Sequence, residues 1–125
     1  MFNKIVAHLY LGDLQDYNSI TNMSKPYLFV DARPFYNLLQ GDADGRELMV
    51  TQLKALAISL AELVKVGVDI YVYCQAGMER SPFLTALILS ELNRGTLDEC
   101  YYFVKTKRPQ TMIYDVWVRT METEC

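Results

Sequence analysis

The chain has 125 residues, of which 51% are apolar and 22% charged, a balance that fits one globular domain with a real core and excludes a disordered chain. Its net charge of −3 excludes a general attraction to nucleic acid or anionic membrane, so any anion specificity has to come from a local site. A single histidine, His8, excludes multi-histidine metal sites.

In chain order, the alternating stretch KIVAHLYLG predicts a first strand ending at Gly12, with His8 inside it. The start MFNKIVAHLYLGD lacks the apolar length of a secretory leader or a membrane span. Cys74, Cys100 and Cys125 do not read as a disulfide framework, so the expectation is a soluble, cytoplasmic, reducing-compartment protein and a monomer. A short helix is predicted over 14–23. YLFVDARP reads as a buried strand stopped by Pro34, with Asp31 and Arg33 at its end and Asp31 in a structural role. NLLQGDADGREL, polar and acidic, reads as a loop.

Leu53, Leu56, Ala57, Leu60, Leu63 and Val64 then share one face of a helix that Gly67 stops. VDIYVYC is β-branched and aromatic, a central strand ending at Cys74. Ser81 and Pro82 suit an N-cap and first helical position, and FLTALIL, apolar all round, predicts a buried helix. Thr96 and Glu99 form a capping box opening a further helix. A last helix is expected to present Met112, Ile113, Val116 and Trp117 on one face, after a solvated helix end, KTKR. The strand–helix alternation with a helical tail indicates an α/β (α+β) domain over 1–125 with a small central, mainly parallel sheet flanked by helices.

Between the central strand and the buried helix lies C-x-x-G-x-x-R-S: Cys74, Gln75, Ala76, Gly77, Met78, Glu79, Arg80, Ser81. A loop running into a helix N-terminus turns successive backbone N–H groups toward one point, a concavity for a tetrahedral anion. Gly77 permits a conformation that a Cβ opposes, and the planar fork of Arg80 binds two anion oxygens at once. The same positive potential favours the Cys74 thiolate, which sits below a bound phosphoryl group in position for in-line attack. Ser81 is placed to hydrogen-bond that thiolate when it leaves, and the Glu79 side chain is expected to point outward. Cys100 and Cys125 are expected to be inert, and Tyr101, Tyr102 and Tyr114 to be core and surface aromatics.

The motif CQAGMERS resembles the C-x5-R phosphate loop of the cysteine-dependent protein tyrosine phosphatases, specifically small dual-specificity members. HLYLGDL is similar to an N-terminal segment of that group, and GTLDECYYFVKTKRPQ to one of its later helices. The resemblance implies a hydrolase of phosphotyrosine, with phosphoserine and phosphothreonine, working through a cysteinyl-phosphate without metal or cofactor. Its partners are phosphorylated proteins, not nucleic acid or membrane. It makes Cys74 the nucleophile, with Arg80 and the backbone from Gln75 to Ser81 binding the phosphoryl group. Family members also protonate the leaving oxygen with an aspartate on a preceding loop. GDADG lies in the corresponding place, and spacing favours Asp42 over Asp44. The sequence departs from the family at Tyr73, where most members carry His. Two other readings stand beside this one. FVDARPFYNLLQGDA and VYCQAG also resemble a rhodanese-like sulfurtransferase, although that family's GHIPGA-type segment is missing; a phosphate-binding module of the same fold, without turnover, is the second.

Overall fold

Two residues, Ala7 and His8, split the first predicted strand into a hairpin. In the computed structural model, which describes residues 2–20, 26–38 and 43–124, β1 (Asn3–Val6) pairs antiparallel with β2 (Leu9–Asp13). His8 takes a left-handed φ of 67°, and its Nδ1 lies 2.9 Å from Asp69 Oδ1, which ties the turn to the start of the central strand. Histidine tolerates this conformation better than β-branched residues do, but nothing in its type announces a turn.

After α1 (Leu14–Ile20) come β3 (Leu28–Asp31) and a 3-10 turn over Arg33–Leu38. The remaining elements are α2 (Ala43–Lys65), β4 (Ile70–Cys74), α3 (Arg80–Glu91), α4 (Leu97–Lys107) and α5 (Asp115–Glu124). The sheet order is β1-β2-β4-β3, with β4 parallel to both of its neighbours. The small, mainly parallel sheet is as expected, and β4 is buried along its whole length.

Alternation along β4 divides the interior. Ile70, Val72 and Cys74 belong to the large core under α2, α3, α4 and α5. Tyr71 and Tyr73 face the other way, into a smaller aromatic cluster with Tyr10, Tyr17, Tyr27 and Phe29. On the first face α3 is buried at every position from Ser81 to Leu89, as its apolar sequence requires. Each large aliphatic side chain so buried contributes about 1.5–3 kcal/mol.

Three further expectations change. The strand at 28–31 is a half-exposed edge rather than a buried one, because β4 takes the central place and leaves β3 one neighbour. Helix α2 begins at Ala43, inside the stretch that reads as a loop. Val50 continues the buried face of Leu53, Ala57, Leu60 and Val64, while the polar and exposed Glu47 turns outward. Met112 and Ile113 precede α5, whose buried face is Trp117, Val118 and Met121, and Val116 is 53% exposed. Among the described residues no helix is long and apolar enough to cross a membrane.

Candidate active site

The end of β4 delivers Cys74 to the floor of the loop, where it is 1% exposed. Its Sγ lies 3.1 Å from Ser81 Oγ. Burial pushes the Cys74 thiol up, but the Ser81 hydroxyl and the backbone N–H groups of Ser81, Gly77 and Glu79 outweigh it, and the thiol ends below its ordinary value. Ser81 therefore does not cap α3; Glu79 takes the N-cap position, and the hydroxyl faces the sulfur. That hydroxyl also stands 3.4 Å from the Gly12 carbonyl. It has one proton for two acceptors: given to the sulfur it steadies a thiolate, and given to the Gly12 carbonyl it leaves the oxygen free to accept from the thiol.

Gly77 has a φ of +66°, and a Cβ there would come 2.5 Å from Arg108 Nη2 and 2.7 Å from the Gly12 carbonyl oxygen. The loop thus rests on the end of β2 and on Arg108. The Arg108 guanidinium, 1% exposed, donates from Nε to the Gly77 carbonyl at 2.7 Å and from Nη1 to Asn3 Oδ1 at 2.8 Å. Its Nη2 lies 4.0 Å from Asp13 Oδ2. Leu14 N–H donates to the Gln75 carbonyl at 3.3 Å, and Met112 N–H to the Met78 carbonyl at 2.8 Å. Each bond turns a loop carbonyl outward, which leaves the N–H groups facing in. Arg108 corrects the reading of KTKR as a solvated end; the signal for it is the RP pair that closes the helix.

Arg80 Nη1 donates to the Arg33 carbonyl at 3.1 Å. Asp31 fixes the turn that carries this carbonyl. It accepts from the Arg33 backbone N–H at 2.9 Å and from the Arg33 guanidinium at 2.8 to 3.1 Å. The Arg33 side chain holds the Asp31 carboxyl below its usual value, and Arg80 adds to the effect. Asp31 is therefore structural, as expected, and what it orders is the support of Arg80.

Tyr73 points to the sheet face opposite Cys74 and stacks on Tyr17 at 4.2 Å and 11°. Glu79 is half-buried, and its Oε1 accepts from the Tyr114 hydroxyl at 2.8 Å. Cys74, Gln75, Ala76, Met78, Glu79 and Arg80 line a cleft of about 190 Å³. A larger groove of about 400 Å³ among α2, α3, α4 and α5 lies away from this chemistry. Asp42 lies outside the described residues. The backbone of Asp44 is in the first turn of α2, and its side chain is likewise outside them. Cys100 is buried on α4, and burial raises its thiol, consistent with an inert role.

No protein-family model and no curated protein matches the sequence. Solved structures do match the fold. Human DUSP28 superposes with a TM-score of 0.75 at 14% identity, over 98% of this chain and 91% of that one. A mouse putative dual specificity phosphatase, complexed with zinc tungstate, gives 0.75 at 16% identity, over 98% and 85%. Tk-PTP in its active form gives 0.71 at 16%, over 98% and 95%. At these identities the likeness is one of architecture, and the chain has the fold of the dual-specificity and protein tyrosine phosphatases.

Proposed function

We propose that the protein is a cysteine-dependent phosphatase that hydrolyses phosphotyrosine, and phosphoserine or phosphothreonine, in proteins. The observation that carries this reading is the Cys74 sulfur at the floor of an N–H-lined loop, with the Ser81 hydroxyl 3.1 Å away. The Cys74 thiolate attacks phosphorus, an S–P bond forms, and the P–O ester bond breaks. Asp42, or Asp44 in its place, gives its proton to the departing oxygen, because an unprotonated alkoxide or phenoxide leaves poorly. Water, deprotonated by the same carboxylate, then attacks phosphorus, and the S–P bond breaks to release phosphate and the thiolate. Arg80 and the loop N–H groups hold the equatorial oxygens through both steps. Ser81 stabilises the thiolate as it leaves.

The mechanism calls for no metal ion. It does call for a reduced Cys74, which suits a reducing cytoplasmic compartment. Among the described residues lining the cleft, Arg80 is the cation, a provision that fits a single phosphoryl group rather than a polyanion such as RNA or a phosphoinositide headgroup.

Hydrolysis of para-nitrophenyl phosphate in EDTA and reductant tests the reading. Turnover that vanadate inhibits and that Cys74→Ser and Arg80→Ala both abolish is expected. A large fall in Asp42→Ala assigns the acid there; near-normal activity moves the role to Asp44. No turnover at any pH, with vanadate still bound, would make the loop an anion-binding module. Sulfur transfer from thiosulfate to cyanide would replace the reading with a sulfurtransferase.

A further inference from the structure

Three consecutive loop residues are tied to one segment of chain, the connection between α4 and α5. The Gly77 carbonyl accepts from Arg108 Nε at 2.7 Å, the Met78 carbonyl from Met112 N–H at 2.8 Å, and the Glu79 carboxylate from the Tyr114 hydroxyl at 2.8 Å. The first two bonds orient backbone. The third holds a negatively charged side chain.

Glu79 occupies the N-cap position of α3 with φ −121° and ψ −75°, yet its side chain makes no capping bond. A carboxylate at that position is ordinarily drawn to the N–H groups of the first turn, which are the groups the phosphoryl oxygens need. The Tyr114 hydroxyl holds it elsewhere. The ring of Tyr114 is itself fixed, stacked on Trp117 at 4.4 Å and 26°. Its backbone N–H donates to the Tyr101 hydroxyl at 3.2 Å, which in turn donates to the Met112 carbonyl at 3.1 Å.

We infer that Tyr114 is a positioning residue for the anion cradle: by binding the Glu79 carboxylate it keeps the loop's own acidic side chain from competing with the phosphoryl group for the N-terminus of α3. The inference rests on the proposed role of the loop as a phosphoryl cradle. Released, the carboxylate places a like charge where the thiolate and the substrate dianion sit, which weakens both.

The test compares wild type, Tyr114→Phe, Glu79→Gln and the double variant. The readouts are the pH dependence of iodoacetamide trapping of Cys74 and the protection that inorganic phosphate gives. Tyr114→Phe is expected to slow trapping near pH 6 about fivefold and to weaken phosphate protection by a similar factor, since its carboxylate is set loose. Glu79→Gln, which removes a charge from the cradle and frees no carboxylate, should trap Cys74 at least as fast as wild type. The double variant should recover toward it, because an amide does not compete with an anion. A double variant no better than Tyr114→Phe would reduce Tyr114 to packing and overturn the inference, as would a Tyr114→Phe protein that traps like wild type. Turnover plays no part in these readouts. Failed hydrolysis beside the expected trapping pattern would sink the phosphatase reading and leave the cradle's positioning intact.

Discussion

Gly77 is the position where the smallest change has the largest expected effect. Its φ of +66° disfavours any Cβ, and the space a Cβ needs is filled by Arg108 and the Gly12 backbone. Gly77→Ala should lose about 1–3 kcal/mol in urea unfolding. It should also weaken phosphate protection of Cys74, because the Gly77 N–H no longer aims at the sulfur. Ser81→Ala acts on the thiolate instead. Removing a hydrogen bond to a charged group should move the iodoacetamide profile to higher pH and lower kcat for para-nitrophenyl phosphate about tenfold. The sign follows from the lowered Cys74 value: folding favours the thiolate, so that contribution is complete above the ordinary thiol range and fades as pH falls through the lowered one. Ser81→Ala should narrow this window from its acid side.

Helix α4 shows what a short stretch of sequence can specify by itself. Thr96 Oγ1 accepts from Glu99 N–H at 3.1 Å, and Glu99 Oε1 accepts from Thr96 N–H at 2.9 Å. Thr96→Ala should cost about 1 kcal/mol, about 4 °C in Tm, and leave hydrolysis unchanged within about twofold. The strand, loop and helix around Cys74 were legible for the same reason, since β-branched and aromatic residues, Gly77 and an apolar run specify them within a few residues of each other. The hairpin at Ala7–His8 was not, because its left-handed residue is a histidine where a glycine would have marked the turn. Nor was the start of α2, whose polar residues lie on an exposed face and imitate a loop. Arg108 and Tyr114 were missed for a different cause. Their partners are 31 and 35 residues away, and no local pattern records a bond made only when the chain has folded back.

At the scale of the whole molecule, the proposed reaction asks a chain of net charge −3 to receive a phosphate dianion at one small cleft. Screening should therefore help the approach of an acidic phosphopeptide: raising salt from about 20 to about 200 mM should increase kcat/KM about two- to threefold. A neutral-flanked peptide should respond less, and a falling rate for both would show that local attraction at Arg80 dominates instead. The aromatic side chains divide between the two sheet faces, with Tyr17, Tyr71 and Tyr73 on one and Phe83, Tyr101 and Trp117 on the other. The sequence contains a single tryptophan, Trp117, and it is stacked on Tyr114, the residue bonded to the loop at Glu79. The indole therefore stands one aromatic ring away from the anion cradle without belonging to it. The molecule is wired with its own optical gauge: any anion that shifts Glu79 and Tyr114 as it docks changes the surroundings of the sole strong emitter, so occupancy can be followed by light with no label attached.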